Sequence, residues 1–156
     1  MSVLGYKFEN PGLLSRALTH SSLIGSENLN LHSNERLEFL GDRVLGLVIA
    51  ETLLERFPNE DEGEISRRHA ALVRMETLEI IGNELNLGNF VYMSRGEEHM
   101  GGRKQPTLIA NTCEAVIAAI YIDGGLKNAS NFIKVHWEPI INNTLFPPKD
   151  AKTLLQ

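Results

Sequence analysis

The chain has 156 residues, 42% of them hydrophobic, which is enough for one domain with a real core and excludes a disordered chain. Its formal charge of −5, from 20 acidic and 15 basic residues, argues against a passive nucleic-acid coat, because counterion release needs many cationic contacts. The single cysteine, Cys113, rules out an intramolecular disulfide and a cysteine-based zinc site and fits a reducing cytoplasm.

Helical punctuation runs along the whole sequence. Asn10-Pro11 joins a cap residue to proline at the first helical position and predicts a short helix to about Leu18. His20-Ser21-Ser22 ends it, and 25–32 reads as a polar loop. Ser33 or Asn34 then caps a long helix in which Leu37, Leu40, Val44, Leu47 and Leu54 recur at about 3.6 residues, the period of an apolar helix face. Phe57-Pro58 stops it. Residues 62–73 predict a third helix, and 76–85 a fourth ending near Leu87-Gly88. Gly96, Gly101 and Gly102 belong to a turn-rich loop.

Pro106-Thr107 opens a strongly apolar helix that Gly124-Gly125 closes, and 127–145 carries one more, with Ile133, Trp137, Ile140 and Ile141 as its buried face. The apolar runs 44–50 and 115–122 are too short to span a bilayer, and 1–11 lacks the pattern of a signal peptide. No window alternates like a strand between hairpin turns. The expectation is an all-α domain over 1–146. Pro147-Pro148 ends it, and 147–156 reads as a linker and the first turns of a further module.

Two blocks carry polar residues at helical spacing inside apolar helices. Glu35, Glu38 and Asp42 stand at i, i+3 and i+7, one face that continues into Leu45 and Ile49. Asn111 and Glu114 stand at i and i+3 in a helix apolar enough to bury most of its circumference. A buried carboxylate costs several kcal/mol unless compensated. No lysine or arginine lies between Gln105 and Gly125, so a hard divalent cation held by oxygen ligands is the economical partner for Glu114.

Blander readings stand beside these. Glu35 is equally an ordinary first-turn acid favoured by the helix dipole. Asn111 is either a satisfied buried amide or a neutral oxygen ligand. Cys113, without signs of activation, reads as an inert buried thiol. Phe39, a large apolar side chain beside the acidic stripe, is either core or a symmetric dimer contact. The five histidines lack zinc spacing, and there is no P-loop, dinucleotide fingerprint or HExxH motif. Acids crowd the first half of the chain, while Arg67, Arg68, Arg74, Arg95, Arg103 and Lys104 follow in the middle, a pattern suited to a metal enzyme acting on a polyanion.

Asn34–Asp42, reading NERLEFLGD, resembles the signature of the ribonuclease III family. The likeness extends to Ala17–Ser21, to Asp61–Arg67, to Gly96-Glu97-Glu98 with Gly101-Gly102, to Leu108–Gly125 and to the tail Lys149–Gln156, which is similar to the approach to that family's double-stranded-RNA-binding domain. The resemblance implies an all-α endonuclease domain, working as a symmetric homodimer on double-stranded RNA with Mg2+ or Mn2+. It implies roles in rRNA and mRNA processing, and products with 5′-phosphate and 3′-hydroxyl ends and short 3′ overhangs.

By position the resemblance places Glu38, Asp42, Asn111 and Glu114 on the metal set, with Asp42 and Glu114 catalytic. Glu35 and Glu62 fall on positions for a second metal or RNA, and Phe39 on an aromatic inserted into the partner subunit. Arg67, Arg68, Arg95, Arg103 and Lys104 are candidate phosphate contacts. In such a site the cation activates water for in-line attack and neutralises the leaving oxygen, while the carboxylates position it. RNA is read by shape, through phosphates and 2′-hydroxyls.

One departure is Asn111, where the family often has aspartate. One negative charge fewer predicts weaker metal binding rather than loss of activity. The second is the missing RNA-binding domain, which predicts low, steeply salt-dependent RNA affinity. An alternative function is a catalytically silent RNA-binding or ribosome-associated relative, favoured only by Asn111 and opposed by Glu38, Asp42 and Glu114.

Overall fold

The computed structural model describes residues 2–23 and 33–143. The expected loop at 25–32, the end of the last helix beyond 143 and the tail 147–156 lie outside them. Among the described residues the fold is all-α, with one isolated bridge between Thr19 and Tyr92.

Helix α1 spans Pro11–Ala17, and the Asn10 side chain caps it by accepting from the Gly12 N–H. Helix α2 spans Glu35–Arg56. Of the two cap candidates it is Ser33 whose hydroxyl accepts from the helix start, from the Glu35 N–H at 3.5 Å. Asn34 makes no side-chain cap and instead donates to the Ala17 carbonyl at 3.2 Å, tying α2 to the end of α1. Helix α3, Glu62–Val73, starts with a reciprocal Asp61–Glu64 capping box.

Helix α4, Met75–Glu84, ends at Asn86 rather than at Gly88. Asn86 takes the left-handed conformation (φ 59°), one that asparagine tolerates better than most side chains. Within the glycine-rich segment a short helix α5, Arg95–His99, forms under a Ser94 cap. Helix α6 spans Pro106–Asn142 and is broken at Gly125, whose φ of 79° is left-handed, so the two helices expected on either side of Gly124-Gly125 are both present.

The core lies between α2 and α6, with α4 and α1 packed on α6 and α3 on α2. Leu45, Ile49 and Leu53 of α2 meet an unbroken buried run from Ala115 to Ile120 in α6. By length and composition α6 could cross a membrane, but most of its apolar stretch is buried inside the domain. Beyond the break Trp137 is fully buried and donates to the Leu72 carbonyl at 2.8 Å.

The buried face of α2 departs from the expected stripe. Leu47 is 56% exposed and Leu54 is 65% exposed, whereas Val48, Ile49 and Leu53 take the inward positions. Both faces of this helix are apolar, so a 3.6-residue period alone does not say which one faces inward.

Candidate active site

The site is made where the first turns of α2 cross the early turns of α6. Gly41 permits the crossing, because a Cβ added there would fall inside the Glu114 carbonyl. The two helix backbones therefore touch at Gly41, and the next residue of α2, Asp42, comes within hydrogen-bonding reach of Glu114. Glu38, one turn earlier on α2, shares this face. Glu38, Asp42, Asn111 and Glu114 are all half-buried.

Burial and mutual repulsion load this corner with charge it cannot comfortably hold. Desolvation, with the nearby Asp42 and Glu38 carboxylates, pushes the Glu114 carboxyl up to about 8. Desolvation, followed by the Glu35 charge, pushes Glu38 up to about 7. Among the described residues the cation that reaches the cluster is Arg43, whose guanidinium lies 3.0 Å from the Asp42 carboxylate and 3.9 Å over the Phe39 ring. The residues flanking Glu114 offered no cation. The facing helix supplies Arg43, next to Asp42 in the sequence.

Among the described residues no three acidic, histidine or cysteine side chains stand close enough together to hold a metal ion as they are placed. Asp42 is drawn toward Arg43 and also bonds Glu114, while Glu38 faces the like charge of Glu35. The donor set nevertheless fits a hard cation, with oxygen ligands only and two carboxylates whose raised proton affinity marks negative charge lacking compensation. A bound cation would relieve that charge.

A groove of about 210 Å³ opens beside the cluster, lined by Glu35, Glu38 and Asn111 on one part and by His20, Ser21, Gln105 and Thr107 on another. The structure brings Glu35 to the groove but leaves it exposed, where its charge acts on Glu38. It does not bring Glu62 to the cluster of its own chain. Glu62 opens α3, beyond the far end of α2, and the 14 residues from Asp42 to Arg56 alone span about 21 Å.

Phe39 is 64% exposed and so is not core. Arg68 is a correction to the set of phosphate contacts. It is 3% exposed, holds Glu60 through two hydrogen bonds of 2.7 Å, and stacks 3.7 Å from Phe57, so it is structural. Arg103 is largely structural as well, donating to the carbonyls of Gly88 and Val91 and to Glu98. Arg67, Arg95 and Lys104 are exposed. Two features had little signal in the sequence. Arg43 looks like any exposed helical arginine, and His20 looks like a helix-ending residue.

The chain matches the family model described as ribonuclease-III-like over residues 10–139. It is 46% identical over 154 residues to ribonuclease 3 of Ehrlichia ruminantium (strain Welgevonden), a match covering 99% of this chain and 67% of that protein. To ribonuclease 3 of Wolbachia pipientis wMel it is 44% identical over 155 residues, covering 99% and 67%. It therefore spans about two thirds of the length of these curated relatives. A crystal structure of the nuclease domain of ribonuclease III from Campylobacter jejuni superposes with a TM-score of 0.82 at 40% identity, covering 96% of this chain and 95% of that one. A second structure of that domain, described as flexible in a region involved in dimer formation, gives 0.80 at 40% identity, covering 88% and 95%.

Proposed function

The chain belongs to the ribonuclease III family and is by that membership an endoribonuclease, and from that premise we propose that it cuts double-stranded RNA with a divalent cation held by Glu38, Asp42, Asn111 and Glu114. The observation that carries the proposal is the half-buried cluster at the Gly41 crossing, where Glu38 and Glu114 are both pushed toward neutrality by burial and by the carboxylates beside each. A bound cation supplies activation of water and neutralisation of charge on the phosphate. The carboxylates orient it, and Asn111 adds a neutral oxygen one turn from Glu114, at the cost of weaker binding than an aspartate gives. Magnesium is the expected ion, with manganese able to substitute.

Products with 5′-phosphate and 3′-hydroxyl ends and short 3′ overhangs require two such sites facing opposite strands, hence a symmetric homodimer. Phe39, Leu47 and Leu54 supply the support for one. They form an exposed apolar stripe along α2 beginning beside the acidic cluster, and an exposed stripe of this kind suits an isologous contact. Glu62, remote from its own chain's cluster, is left to engage RNA or the partner subunit's site. Arg67, Arg95 and Lys104 are exposed cations for the RNA backbone. The domain over 1–146, the tail 147–156 as the lead into an RNA-binding module, a cytoplasmic location and roles in rRNA and mRNA processing complete the reading.

The test is cleavage of a long RNA duplex at low salt with magnesium, manganese or chelator, by the parent chain and by Glu114→Gln. Metal-dependent short duplex products from the parent, and none from the variant, are expected. Silence of the parent with both metals in a folded chain would favour the catalytically inactive RNA-binding relative.

A further inference from the structure

The groove beside the acidic cluster has a wall without carboxylates, and one side chain in it is held by more bonds than its own position explains. His20 lies after the end of α1 in a segment tied from both sides. The Asn34 N–H donates to the Thr19 carbonyl at 3.1 Å, the His20 N–H to the Tyr92 carbonyl at 2.9 Å, and the Tyr92 N–H to the Leu18 carbonyl at 2.8 Å. The ring itself is fixed at Nδ1. The Ser22 N–H donates to Nδ1 at 3.1 Å, and the Ser22 hydroxyl lies 2.8 Å from the same nitrogen. That hydroxyl oxygen in turn accepts from the Ser94 N–H at 3.0 Å.

The Ser22 N–H needs a lone pair at Nδ1, so Nδ1 is the acceptor of the ring and the ring N–H is at Nε2. Nε2 makes no hydrogen bond to any described residue. The ring lines the same groove as Glu35, Glu38 and Asn111. A donor set in place by surrounding bonds, with no partner among the described residues, is a prearranged contact for an acceptor that arrives from outside. Phosphate oxygens are the acceptors an RNA strand presents along such a groove, and the carboxylates of Glu35 and Glu38 that also line it cannot receive them.

We propose that His20 is a substrate-positioning residue whose Nε2–H donates to a backbone phosphate of the RNA strand, next to the one held at the Glu38–Glu114 cluster. The assignment rests on the ribonuclease reading above and adds a residue to it. The donor that contacts RNA and the acceptor that holds the ring are different atoms of one side chain, and two substitutions separate them. Gln places an N–H donor near the position of Nε2 and gives up the Nδ1 acceptor. Asn keeps a polar group near Nδ1 for Ser22 and gives up the outer donor.

The experiment is steady-state cleavage of a long RNA duplex with magnesium by the whole chain, comparing the parent, His20→Asn and His20→Gln. His20→Asn should raise KM about tenfold, the size of one lost hydrogen bond to a charged group, with kcat within about twofold of the parent. His20→Gln should restore most of the KM. An unchanged KM in His20→Asn overturns the assignment, and so does a His20→Gln variant damaged as much as His20→Asn, which would make the Nδ1 bonds the reason for the residue. A parent chain that leaves duplex RNA intact would overturn the ribonuclease reading, and this inference with it.

Discussion

Two arginines in this domain each pair with a carboxylate and stack on a phenylalanine, and their surroundings give them opposite roles. Near the C-terminal end of α2, Arg68 holds Glu60 through two bonds of 2.7 Å and covers Phe57, with side-chain exposures of 2% and 16% for the two charged partners. At the N-terminal end, Arg43 reaches Asp42 through one contact of 3.0 Å and covers Phe39, with 59% and 47% exposed. The first constellation is closed, with matched geometry and charge. The Arg68 guanidinium holds the Glu60 carboxyl below its usual range. The second is open, since Asp42 is the carboxylate that Arg43 bonds, while Glu38 and Glu114 beside it are pushed toward neutrality. Residue types alone do not tell structure from site; the degree to which charge and hydrogen bonds are satisfied does.

Removing the two arginines in turn breaks that comparison most sharply. Arg68→Ala should clearly destabilise the fold, by removing a buried side chain that holds Glu60 and covers Phe57, read as a lowered denaturant midpoint. Arg43→Ala should stay within about 0.5 kcal/mol, because an exposed pair between adjacent residues contributes little. Equal losses in the two variants would erase the distinction. The two phenylalanines sharpen it at smaller scale. Phe39→Ala should leave the melting temperature of dilute chain nearly unchanged but weaken self-association by about 2 kcal/mol, some 30-fold in dimer dissociation constant, measured by sedimentation. An unchanged dimer would remove Phe39 from the interface.

Much of this fold was legible because its boundaries are written in local chemistry. The Asn10-Pro11 start, the Phe57-Pro58 stop and the Gly124-Gly125 break act within a few residues and appear where expected. Ambiguity began where a helix has more than one apolar face. Leu47 and Leu54 fit the period of α2 but point outward, a choice made by the packing of α6 rather than by α2 itself. The acidic cluster was readable from its i, i+3 and i+7 spacing. Its convergence with Glu114 depends on Gly41, whose missing side chain lets the two backbones meet. Arg68 misled for the complementary reason, since its partner Glu60 lies across a turn and Phe57 lies before it, contacts that arise only when α2 and α3 fold back on each other.

The raised carboxyls of Glu38 and Glu114 make metal binding measurable as proton release. In the metal-free chain Glu38 and Glu114 hold protons more tightly when folded than when unfolded. Their contribution to stability is therefore full below the ordinary glutamate range near 4.5 and is lost as pH rises through about 7 and 8. A cation at the site replaces those protons and should restore stability above pH 8. The decisive measurement is calorimetric titration of the chain with manganese at pH 7 in buffers of different ionisation enthalpy. Binding with release of roughly one proton, abolished in Glu114→Gln, is the predicted result. Binding without proton release, or binding that survives Glu114→Gln unchanged, would contradict a metal site built on these carboxylates.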